Sequence, residues 1–350
     1  MSAMRPVLAL ALFSQGVLGG LYPGLSTANH TCNLVKPVLS CSDGAQPGLV
    51  DTCCTETYGG LILQTQFWNT YTGLESKGQL LPKDSWTIHG LWPDAGRIDF
   101  CNGSYTQYCD LKRQYDPEPS PNTTTGTPDG KPVKPWKGEP ISDYIKRFRK
   151  YDLLAFMNKY DAMRFYSLPN SLSLTFSSPN LNLKVVLDRP DQPSWVLWAH
   201  EFSKHATCFS TFDTECYGPE YVRHEEVTDF FSTVIAYYQD LPTWRWLAEG
   251  GITPSNKTAY SLSDIQGALK SKFGKLPYVG CSAPRFNETL AGKGSSDNGY
   301  TVLSEMWYYH HVQGHVQRAQ GVPIDTTYGS GCAKTPGAVW YYERTPRAVA

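Results

Sequence analysis

The sequence predicts a disulfide-stapled globular chain built from both strands and helices. Ten cysteines, at 32, 41, 53, 54, 101, 109, 208, 216, 281 and 332, form an even set. In an oxidising compartment such a set predicts up to about five disulfides. Hydrophobic residues make up 41% of the 350 positions and aromatics 13%, the composition of a packed core and not of a disordered chain. Apolar residues recur at strand spacing in some runs and at helical spacing in others. The length suffices for one large domain or two small ones. Acidic and basic residues nearly cancel, 32 against 31. This excludes a generally basic polyanion binder, so any nucleic acid has to be gripped by a local site.

Residues 1–20 read as a secretory signal. Arg5 supplies the positive start, residues 7–13 a short apolar run, and small residues follow up to Gly19 and Gly20. The apolar run is too short to span a bilayer, and no later run is longer, so no membrane partner is expected. Glycosylation sequons begin at Asn29, Asn102, Asn122, Asn256 and Asn287. In a secreted chain these mark surface glycan sites. No CxxC pair occurs, which argues against a zinc ribbon or a thioredoxin-like site. Residues 21–350 read as a single domain, with no internal repeat.

Residues 21–60, rich in Cys, Gly, Pro and Ser, should form a stapled, loop-rich segment. Residues 60–68 are β-prone with partial alternation and read as a strand. Residues 85–90 are a second strand, ending at Gly90 and Pro93, which puts His89 near a strand end. A stretch at about 114–140, dense in Pro, Gly and Thr, reads as an exposed or partly disordered insertion. Residues 141–163 carry apolar positions at helical spacing, residues 181–187 look like a strand, and residues 200–209 a short helix. Residues 225–247 read as a longer helix whose stripe of Val227, Phe230, Phe231, Val234, Ile235 and Tyr238 is core. Residues 299–315 read as a buried strand that runs into a histidine-bearing segment, and 338–342 as a last β-prone run.

Two stretches carry chemistry. Residues 86–94 read Trp-Thr-Ile-His-Gly-Leu-Trp-Pro-Asp, and residues 200–208 His-Glu-Phe-Ser-Lys-His-Ala-Thr-Cys. On a helix with His200 at zero, Lys204 falls at about 40°, Glu201 at about 100° and His205 at about 140°. Four ionisable groups thus share one face. A helical zinc site takes histidines at i and i+4; here they stand at i and i+5 with a lysine between. That set fits an anionic substrate better than a metal, and no metal or cofactor is expected. His30, His224, His310, His311 and His315 read as ordinary surface or core histidines.

These two segments resemble the paired active-site segments of the ribonuclease T2 family, most closely its secreted fungal members. The resemblance extends over roughly residues 30–342 outside the insertion, including residues 61–70, 101–105 and 300–314. It implies an α+β fold, with a central antiparallel sheet flanked by helices. It also implies metal-free endonucleolytic cleavage of single-stranded RNA, through a 2′,3′-cyclic phosphate to a 3′-phosphate. By the resemblance His205 is the general base, His89 the general acid and His200 the phosphate holder, while Glu201 and Lys204 support the transition state. Trp92, Asp94 and Tyr105 match positions that sandwich and hydrogen-bond a base, and Gln66 a position at a second base site. The cysteine order implies the pairs 32–54, 41–101, 53–216, 109–208 and 281–332.

The resemblance further implies a monomer acting on RNA and not on DNA, released outside the cell or held in a vacuolar or lysosome-like compartment. Two positions depart from the family: Phe202, where Trp is common, and Ala206, where Gly is usual. Ala206 would be strained by about 1 kcal/mol if its backbone took positive φ. Two rivals have distinct signatures. A non-catalytic binder of RNA or of a cell surface on the same fold would cleave nothing, and a zinc hydrolase would fail in chelator.

Overall fold

The computed structural model of the chain describes residues 32–94, 106–120, 122–160, 194–286, 299–346 and 349. The signal-like segment, the sequons at Asn29, Asn102 and Asn287, residues Cys101 and Tyr105, and the strand expected at 181–187 lie outside them.

Among the described residues six strands form one sheet: β1 (Leu61–Phe67), β2 (Thr87–Asp94), β3 (Tyr278–Phe286), β4 (Gly299–Val312), β5 (Gly321–Ile324) and β6 (Val339–Trp340). The order β2-β1-β4-β3 is antiparallel throughout, and β5 joins β4 in the same sense. The short β6 pairs with β4 in parallel, so the sheet is mixed and not purely antiparallel. β4 is the axis, its 14 residues touching four other strands. Around the sheet lie α1 (Ile141–Arg147), α2 (Tyr151–Tyr160), α3 (Trp195–Lys204), α4 (Glu225–Gln239), α5 (Thr243–Glu249) and α6 (Leu262–Phe273). This is the α+β class.

Alternation divides the sheet into two faces. Ile62 and Ile88 pack with Trp198 and Phe202 of α3 and Phe230 and Val234 of α4. Met306 and Tyr308 pack with Leu247 of α5 and Leu269 and Phe273 of α6. The opposite face holds Leu61, Leu63 and Tyr309, with Trp92 and Trp307 beside them.

Several boundaries differ from the sequence reading for identifiable reasons. The helix expected over 141–163 splits into α1 and α2 around Arg149, whose φ is +58°. The helix expected over 225–247 breaks at Leu241-Pro242, because proline cannot donate to the preceding turn. β2 runs through Pro93 to Asp94, which its place at the sheet edge permits.

The segment at 114–140 is the largest correction. Its start is core and not a detachable loop. Tyr115 and Asp116 are buried, the Tyr115 N–H donates to Ser203 Oγ at 2.6 Å, and Trp136 meets Tyr115 edge-on at 5.3 Å.

Disulfides join Cys32–Cys54, Cys53–Cys216, Cys109–Cys208 and Cys281–Cys332. Cys41 is also disulfide-bonded, to a partner outside the described residues. No described helix is long and apolar enough to cross a membrane.

Candidate active site

His89 is delivered by a flaw in the strand pairing. Thr65 of β1 faces Gly90 while the next residue, Gln66, faces Ile88, so His89 is the extra residue of a β-bulge. It is therefore a mid-strand bulge residue and not a strand-end residue. Bulges re-aim side chains, and here the imidazole turns onto the face carrying Phe67, Trp92 and Glu305. It stacks on Phe67 at 3.7 Å and meets Trp92 edge-on at 4.6 Å. Its Nδ1 lies 2.7 Å from Glu305 Oε1, which leaves Nε2 directed at Glu201, 3.8 Å from Oε1.

The second stretch supplies the opposite wall. α3 starts at Trp195, earlier than the sequence suggested, and buries Trp198, Ala199 and Phe202. Glu201 thereby faces β2, while His200 turns to Asp116. The helix ends at Lys204, and His205 is its cap, with φ −110° and ψ −53°. His200, Glu201 and His205 come together as the shared face implied, with one ligand atom of each within 4.8 Å of the others.

Glu201 Oε2 lies 4.0 Å from His205 Nε2 and accepts from Trp92 Nε1 at 2.8 Å. Trp92 also stacks on His205 at 5.0 Å. Gly90 makes this approach possible, since a Cβ there would occupy the space of the Glu201 carboxylate. Ala206 is buried in a 3₁₀ turn with no positive φ, so the strain foreseen for it does not arise.

Burial dominates the electrostatics. It raises the Glu201 carboxyl to about 8, against the Trp92 donor and the Lys204 charge. It lowers the Lys204 ammonium, with Glu201 and Asp116 opposing. Burial, and then the neighbouring Lys204, His200 and His89, hold His205 far below the usual imidazole value. His89 is also lowered by burial, but Glu305 pushes back through both a hydrogen bond and its charge.

By spacing alone the His200, Glu201 and His205 cluster could admit a cation. Lys204 among these groups, and a Glu201 that favours its proton, oppose a divalent ion and suit an anion.

Of the residues singled out from sequence, His89, Trp92, His200, Glu201, Lys204 and His205 converge. Asp94 is on β2, with only its backbone described. Gln66 is a correction. It lies on the other face, is fully buried, donates to Gln64 Oε1 and the Leu241 carbonyl, and accepts from Thr243 Oγ1. Its amide is spent inside the core and offers nothing to a base. Sequence reasoning missed Glu305, Asp116, Tyr108 and Phe67. Glu305 left a signal, as the one carboxylate in β4. Asp116 left none.

Known proteins resemble this chain over most of its length. Ribonuclease T2-like 1-A of Candida albicans is 32% identical over 87% of this chain, and the chain spans 57% of that protein's length. Ribonuclease Trv of Hypocrea rufa is 34% identical, over 85% of this chain and 92% of that protein. The crystal structure of Actibind, described as a T2 ribonuclease, superposes with a TM-score of 0.60 at 28% identity, covering 90% of this chain and 98% of that one. A sequence profile of the ribonuclease T2 family matches residues 59–311, a span that contains every described residue of the cluster; the chain belongs to the ribonuclease T2 family.

Proposed function

We propose that this protein is a metal-independent endoribonuclease that cleaves single-stranded RNA by transesterification. The observation that carries the reading is Glu201 set between two imidazoles, 3.8 Å from His89 and 4.0 Å from His205. A 2′-hydroxyl is a poor nucleophile and an alkoxide a poor leaving group, so the reaction needs a base on one side of the phosphorus and an acid on the other.

His205, kept neutral by burial, takes the proton of the 2′-hydroxyl as its oxygen attacks phosphorus. His89, whose Nδ1 is held by a carboxylate, carries the proton that passes from Nε2 to the departing 5′-oxygen. The products are a 2′,3′-cyclic phosphate and a free 5′-hydroxyl. In the second step water adds to phosphorus with the roles reversed and opens the ring to a 3′-phosphate. His200 holds a phosphate oxygen. Lys204, and Glu201 as a neutral acid able to donate, stabilise the charge gathering on the phosphorane.

DNA lacks the attacking hydroxyl and is not a substrate. Trp92, with Asp94 and Tyr105, forms the base site, where stacking favours splayed single-stranded bases. Secretion, glycans at Asn29, Asn102, Asn122, Asn256 and Asn287, and a monomeric state complete the reading. The disulfides support secretion, and Asn122 and Asn256 are exposed.

The test is incubation with single-stranded RNA in EDTA at mildly acidic pH. Fragments ending in cyclic phosphate or 3′-phosphate are expected. Intact RNA with folded protein would sink the proposal and favour a binding protein, and cleavage lost only in chelator would favour a cation in the cluster.

A further inference from the structure

Asp116 explains how His200 is held, and nothing in the two motifs accounts for it. His200 Nδ1 lies 2.8 Å from Asp116 Oδ2, and the Asp116 side chain is fully buried. The same oxygen accepts from Tyr108 Oη at 2.7 Å, and Oδ1 accepts from the Glu118 N–H at 2.8 Å. The Asp116 backbone is pinned as well, its carbonyl accepting from the Trp136 N–H at 2.8 Å and Gln114 Nε2 at 3.1 Å.

Tyr108 is fixed in turn. It is buried with φ +50°, its N–H donates to the Lys204 carbonyl at 3.0 Å, and its neighbour Cys109 is bonded to Cys208. A residue held in that sparsely populated region needs surroundings that over-determine it. Both ends of this loop are tied to the end of α3.

Burial by itself raises the Asp116 carboxyl; the hydrogen bonds and charge of its partners outweigh burial and leave it below the usual range. A buried carboxylate requires donors, so His200 Nδ1 carries a proton. That bond sets the ring plane and leaves Nε2 for the cluster.

We propose that Asp116, backed by Tyr108, is the positioning residue of His200, fixing Nδ1–H and so aiming Nε2 at a substrate phosphate. This rests on the phosphate-holding role given to His200 above. It also gives the segment at 114–140 a task, because its buried start supplies the carboxylate that orients His200.

The probe is inorganic phosphate, titrated against the full chain between pH 4 and 8 by calorimetry, with kcat and KM on a dinucleotide measured separately. Asp116→Asn should weaken phosphate binding roughly tenfold, the effect of losing one charge-assisted hydrogen bond. KM should rise more than kcat falls, and Asp116→Glu should recover part of the loss. In a His200→Ala background Asp116→Asn should have no further effect. Should Asp116→Asn misfold, Tyr108→Phe, which keeps the carboxylate, should give a smaller shift in the same direction.

Wild-type phosphate affinity and KM in folded Asp116→Asn would overturn the proposal, as would an equal loss in the His200→Ala background. Phosphate binding is read without RNA, so failure of cleavage and failure of this contact are separate outcomes.

Discussion

The two faces of β4 hold histidine in opposite ways. On one face Glu305 reaches His89 at 2.7 Å, with Trp307 next along the strand toward Trp92. On the other, His310 sits among Phe273 and Tyr237, edge-on at 5.2 and 5.7 Å, and Gly321 leaves no room beside its ring. Burial lowers both imidazoles. Burial pushes His310 down to about 4, against the Tyr308 backbone, which raises it. Burial alone therefore makes a histidine neutral and inert near neutral pH, whereas burial beside a carboxylate keeps one able to carry a proton.

The sharpest way to break that contrast is to delete each ring. His89→Ala should lower kcat about 10²- to 10⁴-fold while leaving the fold intact. His310→Ala should leave kcat nearly unchanged while destabilising the protein by about 2–4 kcal/mol, as a large-to-small core change does. Steady-state kinetics and chemical denaturation separate the two, and an inactive, folded His310→Ala would overturn the division of faces.

Acid should expose the inert histidines next. His310 and His224 are both pushed to about 4, by burial first. The unfolded chain takes these protons near pH 6.5 and the folded chain only near 4. Their contribution is thus present above about pH 6.5 and is lost as pH falls toward 4, by up to about 3 kcal/mol for His310. Melting curves from pH 7 to 4 should flatten in His310→Phe; an unchanged slope would show that His310 does not titrate in this way.

Glu305→Gln should be milder than loss of His89, about ten- to hundredfold in kcat, below the ~10⁴-fold known for a carboxylate that also sets the tautomer of a triad. Glu305 favours the protonated His89, so its removal should move the alkaline limb of the kcat profile to lower pH. A limb that stays in place would mean His89 is not the acid.

The smallest effect is expected at the end of α3. Ala206 lies in a 3₁₀ turn without positive φ. Ala206→Gly should therefore cost about 0.5–1 kcal/mol through backbone entropy. A gain in stability would show that the position needs a left-handed residue after all.

The residues proposed as catalytic are legible because local chemistry marks them. A Trp-x-x-His-Gly-x-Trp-Pro strand and a helix bearing His200, Glu201, Lys204 and His205 concentrate polar groups where apolar ones are the rule. Gln66 misled because a strand residue reveals its alternation but not which face the site occupies; only the pairing with β4 put it against Leu241 and Thr243. The segment at 114–140 misled because proline and glycine content reports backbone preference and says little about burial of the few side chains that anchor it.

By itself the sequence determined that strands and helices are both present, the two chemical segments and the cysteine set, since composition, periodicity and motif spacing are local properties; the α+β class followed from the resemblance those segments carry. Only the tertiary structure decided that His89 sits in a bulge and that Glu305 and Asp116 grip the Nδ1 atoms of two histidines. Those contacts join residues separated by 216 and 84 positions. A hydrogen bond depends on direction and on tenths of an ångström, which no spacing along the chain encodes until the sheet and helices have packed.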